Sequence, residues 1–461
     1  MSKLDKIADA RAKVFVDTPA RSRLEKLFDD GSFVEIDGFV TAGGKPSGVV
    51  CGYGSVNGGP VYAFAQDGGA VGKAHAGKIC KIFDLALKTG VPVIGMYDSA
   101  GALVMEGAEA LNAYGDMLLH INNLSGVVPQ ISLVLGTCAG SSAVMACSAD
   151  FVVMSDNAEF FVTAPAGDAS SANAAAAAKS GVAHIVKEDE SSAIEAARVI
   201  VSMLPTNNIA PPPVFDFAEK EGGADVLSAA CENIGTASAE EVVLSVFDDG
   251  SVVELFESFG KSVYAAMATI EGFACGVIAV KEGNKLCSNC CNKIAKLVSV
   301  WDAFQVPVIT FVNTEGVDDG NGASGAVRDM AKMAHVYAEA TTAKIAVITG
   351  KAYGSAYVAL ASKATASDYT VAWPSAVISP LAPETAVAFS YSDRITADKS
   401  REAVVAEYIE NEASPFKAAE SGCIDDVINP ALTRSVLVAA VDLLSAKRVQ
   451  KNPKKHGNIP F

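Results

Sequence analysis

Residues 28–36 read FDDGSFVEI, and residues 247–255 read FDDGSVVEL. Seven of the nine positions match, at an offset of 219. Two further pairs follow in the same order. VPVIGMYDSAG at 91–101 answers VPVITFVNTEG at 306–316, offset 215, and GTCAGS at 136–141 answers GKAYGS at 350–355, offset 214. One near-constant offset over three blocks means that the chain contains itself twice. The period is far too long for a solenoid of short repeats. It predicts two tandem domains, and Pro211–Pro213 followed by a polar run marks an extended seam. The boundary is placed near residue 220, giving domains 1–220 and 221–461.

Each half alternates element types. PVYAFAQ, VPVIGMY and QISLVLG read as short apolar strands. Between them lie HAGKICKIFDLALKTG, a helix ending at Gly90, and EGAEALNAYGDMLLHINNLSG, a helix ending at Gly126. VPVITFVN and KIAVITG repeat the pattern in the second half. Strands alternating with helices predict an α/β fold with a largely parallel sheet, whose ligands sit at the carboxyl ends of the strands.

The composition narrows the function. The chain has 461 residues and a formal net charge of −17, with no basic face in view, so nucleic acid is not an expected partner. Half the residues are hydrophobic, which excludes a disordered chain. No uninterrupted apolar run reaches the roughly 18 residues of a spanning helix; VYAAMATIEGFACGVIAV carries Glu271 in its middle. The opening MSKLDKIADARAK has no apolar core of a signal peptide. Ten scattered cysteines suit a reducing compartment, and the expected location is cytoplasmic.

The loops after two strands carry the chemistry. Thr137-Cys138-Ala139-Gly140-Ser141 follows QISLVLG, and Lys351-Ala352-Tyr353-Gly354-Ser355-Ala356 follows KIAVITG. Both read as a strand, a tight turn and small residues opening a helix. Such turns present backbone N–H groups to a ligand, and donors aimed at a developing oxyanion contribute on the order of 3 kcal/mol each. The alternative is that the small residues here only permit tight helix–sheet packing. GKAHAGKI at 72–79 nearly matches a phosphate loop, but Ile79 stands where Ser or Thr is required. Lys73 and Lys78 are read first as solvated helix-face lysines, with a ligand phosphate as the alternative. CSNCC at 287–291 has no second spaced pair, so packing is preferred to metal and no metal is expected. Asp98 to Gly101, DSAG, either lines a site or caps the next helix. No GxSxG elbow, HExxH or acid–base pair appears.

At these residues the sequence resembles the carboxyltransferase subunits of biotin-dependent acyl-CoA carboxylases and decarboxylases, such as propionyl-CoA carboxylase β subunits and methylmalonyl-CoA or glutaconyl-CoA decarboxylase α subunits. The matching text includes VYAFAQD, HAGKICKIFDLALKTGVPVIGMYDSAGA, SGVVPQISLVLGTCAGSSAV, SGVAHIV, VWDAFQVPVITFVNTEG, VYAEATTAKIAVITGKAYGSAYV, ASDYTVAWPSAVI and KRVQKNPKKHGNIPF. It covers nearly the whole chain.

The resemblance implies two crotonase-like domains, acyl-CoA held mainly on the N-terminal one and biotin on the C-terminal one of a partner subunit. It implies a homodimer or a trimer of dimers. A carboxyl group would move between carboxybiotin and the α carbon of a short acyl-CoA. N–H groups around Gly140 and Ser141 would hold the thioester enolate, and those around Gly354, Ser355 and Ala356 the ureido oxygen of biotin. Ala100, Gly101, Ala139, Tyr353 and Val358 would line the substrate, with Lys73 and Lys78 near it. The chain has no biotin-accepting MKM segment, so a biotin carboxyl carrier protein is the expected partner, beside a biotin carboxylase or a membrane decarboxylase subunit. The alternatives are a biotin-independent crotonase-like decarboxylase or hydratase, and a non-catalytic structural subunit.

The sequence departs from the family's pattern at several points. Ser141 and Ser355 replace the second glycine of each turn. DSAGALVMEG stands for DSGGARIQEG, changing Ala100, Leu103, Val104 and Met105. The stretch GGAVGKAHAGK is short, and VDDGNGASG follows Gly316 where PGFxPG is usual. Val358 stands where some propionyl-type members carry Asp.

Overall fold

In the computed structural model the described residues are 3–166, 169–233, 237–281, 283, 285–318 and 325–460. They divide into two compact units, Met1–Pro213 and Val214–Phe461, and the division falls at the end of the triple proline.

Among the described residues each unit is built on an eight-stranded sheet. In the first unit the strands lie in the order Val34–Glu35, Val49–Val56, Gly59–Gln66, Val93–Ser99, Gln130–Ala139, Phe151–Ser155, Ile185–Lys187, with Glu159–Phe161 pairing separately to the end of Gln130–Ala139. In the second the order is Val253–Glu254, Val263–Ile270, Phe273–Val280, Val308–Thr314, Lys344–Tyr353, Tyr369–Ala372, Asp426–Val427, with Val377–Ser379 on Lys344–Tyr353. The two topologies are the same. From the third strand onward each sheet is parallel, but the first three strands are antiparallel. The sheets are therefore mixed: largely parallel, as expected, with an antiparallel opening hairpin that the sequence reading did not include.

That hairpin explains the repeated FDDGS text. Its turn residues are Asn57-Gly58 in one unit and Glu271-Gly272 in the other, with φ of 50°, 80°, 46° and 78°. Two successive residues with positive φ match the twist of the flanking strands. The first aspartate of FDDGS holds this turn. Asp29 accepts N–H bonds from Asn57 (3.0 Å) and Gly58 (2.9 Å). Asp248 accepts them from Glu271 (3.0 Å) and Gly272 (2.9 Å). An arginine from a late helix closes each arrangement. Arg198 donates to Asp29 (3.1 Å) and to the carbonyl of Leu27. Arg434 donates to Asp248 and to the carbonyl of Val246, both at 2.6 Å.

These donors, the Gly58 N–H foremost, pull the Asp29 carboxyl down to about 2. An ordinary aspartate titrates near ~3.9. A folded-state pKa below the unfolded one stabilises above the unfolded value, and that stabilisation disappears as pH falls through the folded value. The Asp29 contribution is thus complete above pH ~4 and lost between ~4 and ~2. Asp29→Asn removes this part of the acid limb in a urea-unfolding series against pH; an unchanged limb contradicts the assignment.

The sequence-read helices lie where the apolar spacing put them. Lys73–Thr89 stops at Gly90 in the left-handed region (φ 65°), whose N–H bonds the Ala86 carbonyl. Ala108–Leu124 ends just before Gly126 (φ 70°). The apolar faces of these helices and the first sheet share one core, including Phe64, Ile79, Ile82, Phe83, Tyr97 and Met117. The second unit has its own core around Phe247, Phe311, Val347 and Trp373.

Candidate functional site

The first turn follows from how the strand Gln130–Ala139 ends. On one side its last three residues pair with the strand Glu159–Phe161 instead of Phe151–Ser155, Ala139 opposite Phe161, while on the other Cys138 stays opposite Ser99. Gly140, at φ 63°, then turns the chain into the helix Ser141–Cys147. A Cβ on Gly140 would meet nothing within 4 Å, so glycine is required here by conformation rather than by space. The Gly140 N–H donates to the Phe161 carbonyl at 2.9 Å. Gly140 is therefore the turn-former, which corrects its expected part as a donor to ligand. No side chain caps the helix, and the N–H groups of Ser141 and Ser142 in its first turn have no intrahelical acceptor. The Ser142 hydroxyl is buried against Tyr114 Oη at 2.6 Å and fixes the helix from below.

The neighbouring loops converge on this turn. Gly101 is buried with φ 98°, and a Cβ there would stand 3.5 Å from the Ala139 carbonyl. Its N–H bonds Ser99 Oγ (3.1 Å). Val71 N–H bonds the Gly101 carbonyl (2.8 Å) and Leu103 N–H bonds the Val71 carbonyl (2.9 Å). Gly101, Ala139 and Ser141 are thus brought together at the carboxyl edge of the sheet, and Ala100 is exposed beside them.

Asp98 caps neither the short 3-10 helix Val104–Glu106, whose N-cap is Leu103, nor the helix Ala108–Leu124, whose N-cap is Gly107. Its carboxylate lies under the turn-bearing strand, where a Cβ on Gly136 would come within 2.4 Å of it. Arg23, 6% exposed, donates to Asp98 (2.9 Å), to Glu190 (2.6 and 3.1 Å) and to the Gln66 carbonyl (3.2 Å). Burial opposes the guanidinium charge, but the two carboxylates more than offset it and the Arg23 pKa is raised.

The two lysines separate. Lys73 is exposed and lines a groove of about 550 Å³ together with Ala76, Gly77 and Ala113. Its N–H is held by Glu106 (2.7 Å). Lys78 is 4% exposed and donates to the Val49 carbonyl at 2.7 Å. The expected solvated face is wrong for Lys78, whose ammonium is a buried tie between helix and hairpin. Lys293, at offset 215, does the same for the carbonyls of Phe256 (3.0 Å), Phe259 (3.2 Å) and Val263 (2.7 Å).

The second turn repeats the first. Lys344–Tyr353 ends paired to Val377–Ser379, and Gly354 (φ 53°) opens the helix Gly354–Leu360 with no side-chain cap. A Cβ on Gly354 would lie 3.1 Å from the Pro380 carbonyl, so here both conformation and space call for glycine. Ser355 is exposed, Ala356 fully buried, and Val358 is 52% exposed on the same helix. Tyr353 is 7% exposed, and burial, aided by Glu384 and Glu315, pushes its hydroxyl up to about 12. Asn313 takes the place of Asp98. It accepts the Lys351 N–H (3.0 Å), and a Cβ on Gly350 would come within 2.4 Å of it. Lys351 Nζ pairs with Glu315 at 2.7 Å and lowers its carboxyl pKa. Of the departure VDDGNGASG, residues 319–324 lie outside the described residues.

Sequence reasoning missed Arg23, Gln66, Glu190 and Asn313. A signal existed for Asn313: Gly350 recurs at offset 214 from Gly136, and each glycine is a bare position against a polar side chain from the preceding strand, Asn313 in one unit and Asp98 in the other.

Known proteins share this arrangement. Residues 17–459 match the family model described as the carboxyl transferase domain. The chain is 36% identical to the methylmalonyl-CoA decarboxylase subunit alpha of Veillonella parvula, over 96% of this chain and 93% of that one. It is also 36% identical to the mitochondrial propionyl-CoA carboxylase beta chain of Homo sapiens, over 96% and 88%. Among solved structures, transcarboxylase 12S, described as a hexamer with hydrolysed methylmalonyl-coenzyme A bound, superposes with a TM-score of 0.91 at 31% identity, covering 98% of this chain and 94% of that one. With the duplicated sheet and turn on one side and full-length relatives on the other, the chain belongs to the carboxyl transferase domain family.

Proposed function

We propose that this protein is the carboxyltransferase subunit of a biotin-dependent acyl-CoA carboxylase or decarboxylase. It moves a carboxyl group between biotin on a separate carrier and the α carbon of a short acyl-CoA. The observation that carries this is the duplication of the strand–glycine–helix turn, once per unit, each without a side-chain cap. A one-substrate crotonase-like enzyme needs a single such turn.

On this reading the first turn serves the thioester. When the α carbon carries negative charge, that charge spreads onto the thioester oxygen. The N–H groups of Ser141 and Ser142 meet it there without reorganising, because the Gly140–Phe161 and Ser142–Tyr114 bonds already fix the turn. Gly101 and Ala139 leave the acyl group room to approach the backbone.

The second turn suits an amide-like oxygen that is neutral at rest and gains negative charge in the transition state. Its donors are the Ser355 and Ala356 N–H groups, Gly354 carries no Cβ to crowd the Pro380 carbonyl, and Asn313 is uncharged where the first unit has Asp98. The ureido group of biotin has such an oxygen and would be held by these donors. Carboxybiotin, when bound, supplies the carboxyl group, and its ureido nitrogen supplies the base. This chain's part would be to hold the ureido oxygen on those N–H groups; Tyr353, whose hydroxyl burial keeps protonated, offers no base of its own.

The carrier acts in trans. The partners are a biotin carboxyl carrier protein and a biotin carboxylase or membrane decarboxylase subunit, and the assembly is a homodimer or a trimer of dimers. No helix among the described residues is long and apolar enough to cross a membrane. The test supplies malonyl-, methylmalonyl- and glutaconyl-CoA in turn with free biotin and with a biotinylated carrier domain, following the decarboxylated thioester by chromatography. At least one is expected to turn over. Inertness of all three with both forms of biotin overturns the proposal.

A further inference from the structure

The CSNCC stretch has no part in the chemistry above, yet its geometry is specific. Cys287 is the N-cap of the helix Ser288–Ala303, with extended backbone (φ −93°, ψ 173°), and its Sγ accepts the Cys290 N–H at 3.4 Å. The Sγ atoms of Cys287 and Cys290 are 3.1 Å apart. Cys287 is half-buried, whereas Cys290 and Cys291 are buried. A C-x-x-C pair at a helix N-terminus, following a strand and leading into the next parallel one, is the arrangement in which a thiolate is stabilised by the N-terminal N–H groups.

The first unit shows that capping does not require this chemistry. Gly72, at offset 215 from Cys287, is the N-cap there, and the carboxylate of Glu106 accepts the Lys73 N–H at 2.7 Å. A thiol pair stands in the second unit where a carboxylate does the same work in the first.

We infer that Cys287 and Cys290 form a reversible dithiol–disulfide pair, a redox modification site at the edge of the second unit's sheet. The oxidant is a small-molecule disulfide. The Cys287 thiolate attacks one of its sulfurs and expels the first thiolate, leaving a mixed disulfide on Cys287. Cys290 then loses its proton and attacks Cys287 Sγ, expelling the second thiolate. Two protein thiols are oxidised and one external disulfide is reduced to two thiols. Burial raises the Cys290 pKa, which makes the more exposed Cys287 the attacking group and Cys290 the resolving one.

Oxidation has a defined local consequence. It takes away the Sγ that caps Cys290 N–H and moves the residue next to Leu286. Leu286 is tied to the loop beyond the strand Val308–Thr314: its N–H bonds the Gly316 carbonyl and its carbonyl accepts the Asp318 N–H, both at 2.9 Å. That strand is the direct neighbour of Lys344–Tyr353, with Thr314 opposite Ala352, just before the second turn. The expected effect on carrier-dependent turnover rests on the reading of the second turn as the biotin side; the thiol pairing does not.

The test treats the full-length protein with oxidised glutathione, alkylates free thiols and maps the tryptic peptide 286–293, which contains all three cysteines. Cys287 and Cys290 are expected to escape alkylation together, with a loss of two hydrogens, while Cys291 is labelled. Reduction restores all three labels. Cys291→Ser retains the pairing, and Cys290→Ser stops at glutathione on Cys287. Full alkylation after treatment, or pairing of Cys287 with Cys291, overturns the inference. Turnover measured on the same samples falls on oxidation and returns on reduction. Pairing with unchanged turnover overturns the link to the second turn, and absence of turnover in the reduced protein counts against the proposed function instead.

Discussion

Ser355→Pro lowers biotin-dependent turnover by about 10²–10³-fold, the loss expected for one backbone donor to a developing oxyanion. The substitution deletes a single N–H at the second turn. Ser355 is exposed, and proline is tolerated in the first turn of a helix, so the ring points to solvent and the core is untouched. Ser355→Ala is the matched control. It removes the hydroxyl that replaces the family's usual glycine and keeps the N–H, and its turnover stays within a few-fold of the parent. The readout is kcat with free biotin at saturating acyl-CoA, alongside a thermal melt for each variant. If Ser355→Ala is as damaging as Ser355→Pro, the hydroxyl is the donor and the backbone assignment fails. Ser141→Pro applies the same logic to the first turn, with Ser141→Ala as its control.

Asp248→Ala destabilises the protein by about 3–5 kcal/mol, the range for breaking a buried ion pair by removing one partner. Asp248 is 7% exposed. Beyond the two hairpin N–H groups it accepts Thr269 Oγ1 (2.7 Å) and Arg434 (2.6 Å). Alanine leaves all four donors without their acceptor and leaves the positive φ of Glu271 unsupported. Asp29→Ala costs less, because the Asp29 side chain is 30% exposed in its pair with Arg198, against 9% for Asp248 with Arg434, and water replaces part of what is lost. Urea unfolding of both variants measures the difference. Equal, sub-kilocalorie effects would show that FDDGS is retained for something other than the hairpin.

The duplication itself was legible because it is written in letters: FDDGS, VPVI and G-x-x-x-G-S recur at one offset. The helices were legible because apolar spacing and Gly90 and Gly126 mark them. The opening hairpins were not, although Asn57-Gly58 is a strong turn signal, because the second turn reads Glu271-Gly272 and hides it. A glutamate at φ 46° is held by Asp248, and no local pattern announces a tertiary contact. Lys78 shows the same limit. A lysine beside Gly77 on an amphipathic helix reads as solvated, yet its ammonium reaches the Val49 carbonyl in another element. Gly140 was found as the turn but mistaken for a donor, because the strand Glu159–Phe161 that occupies its N–H is three residues long and carries no periodicity. Arg23 lies 75 residues from Asp98 and 167 from Glu190, a separation that sequence pattern cannot bridge.

The most direct measurement of carboxyl transfer is the rate of propionyl-CoA formation from methylmalonyl-CoA by the reduced protein as biotin is raised from zero. The proposed function predicts no propionyl-CoA without biotin and a saturable rise with it, lowered about 10²–10³-fold by Ser141→Pro and by Ser355→Pro alike. Propionyl-CoA formed at the same rate without biotin, sensitive to the first turn alone, would contradict carboxyl transfer and leave a one-site decarboxylase.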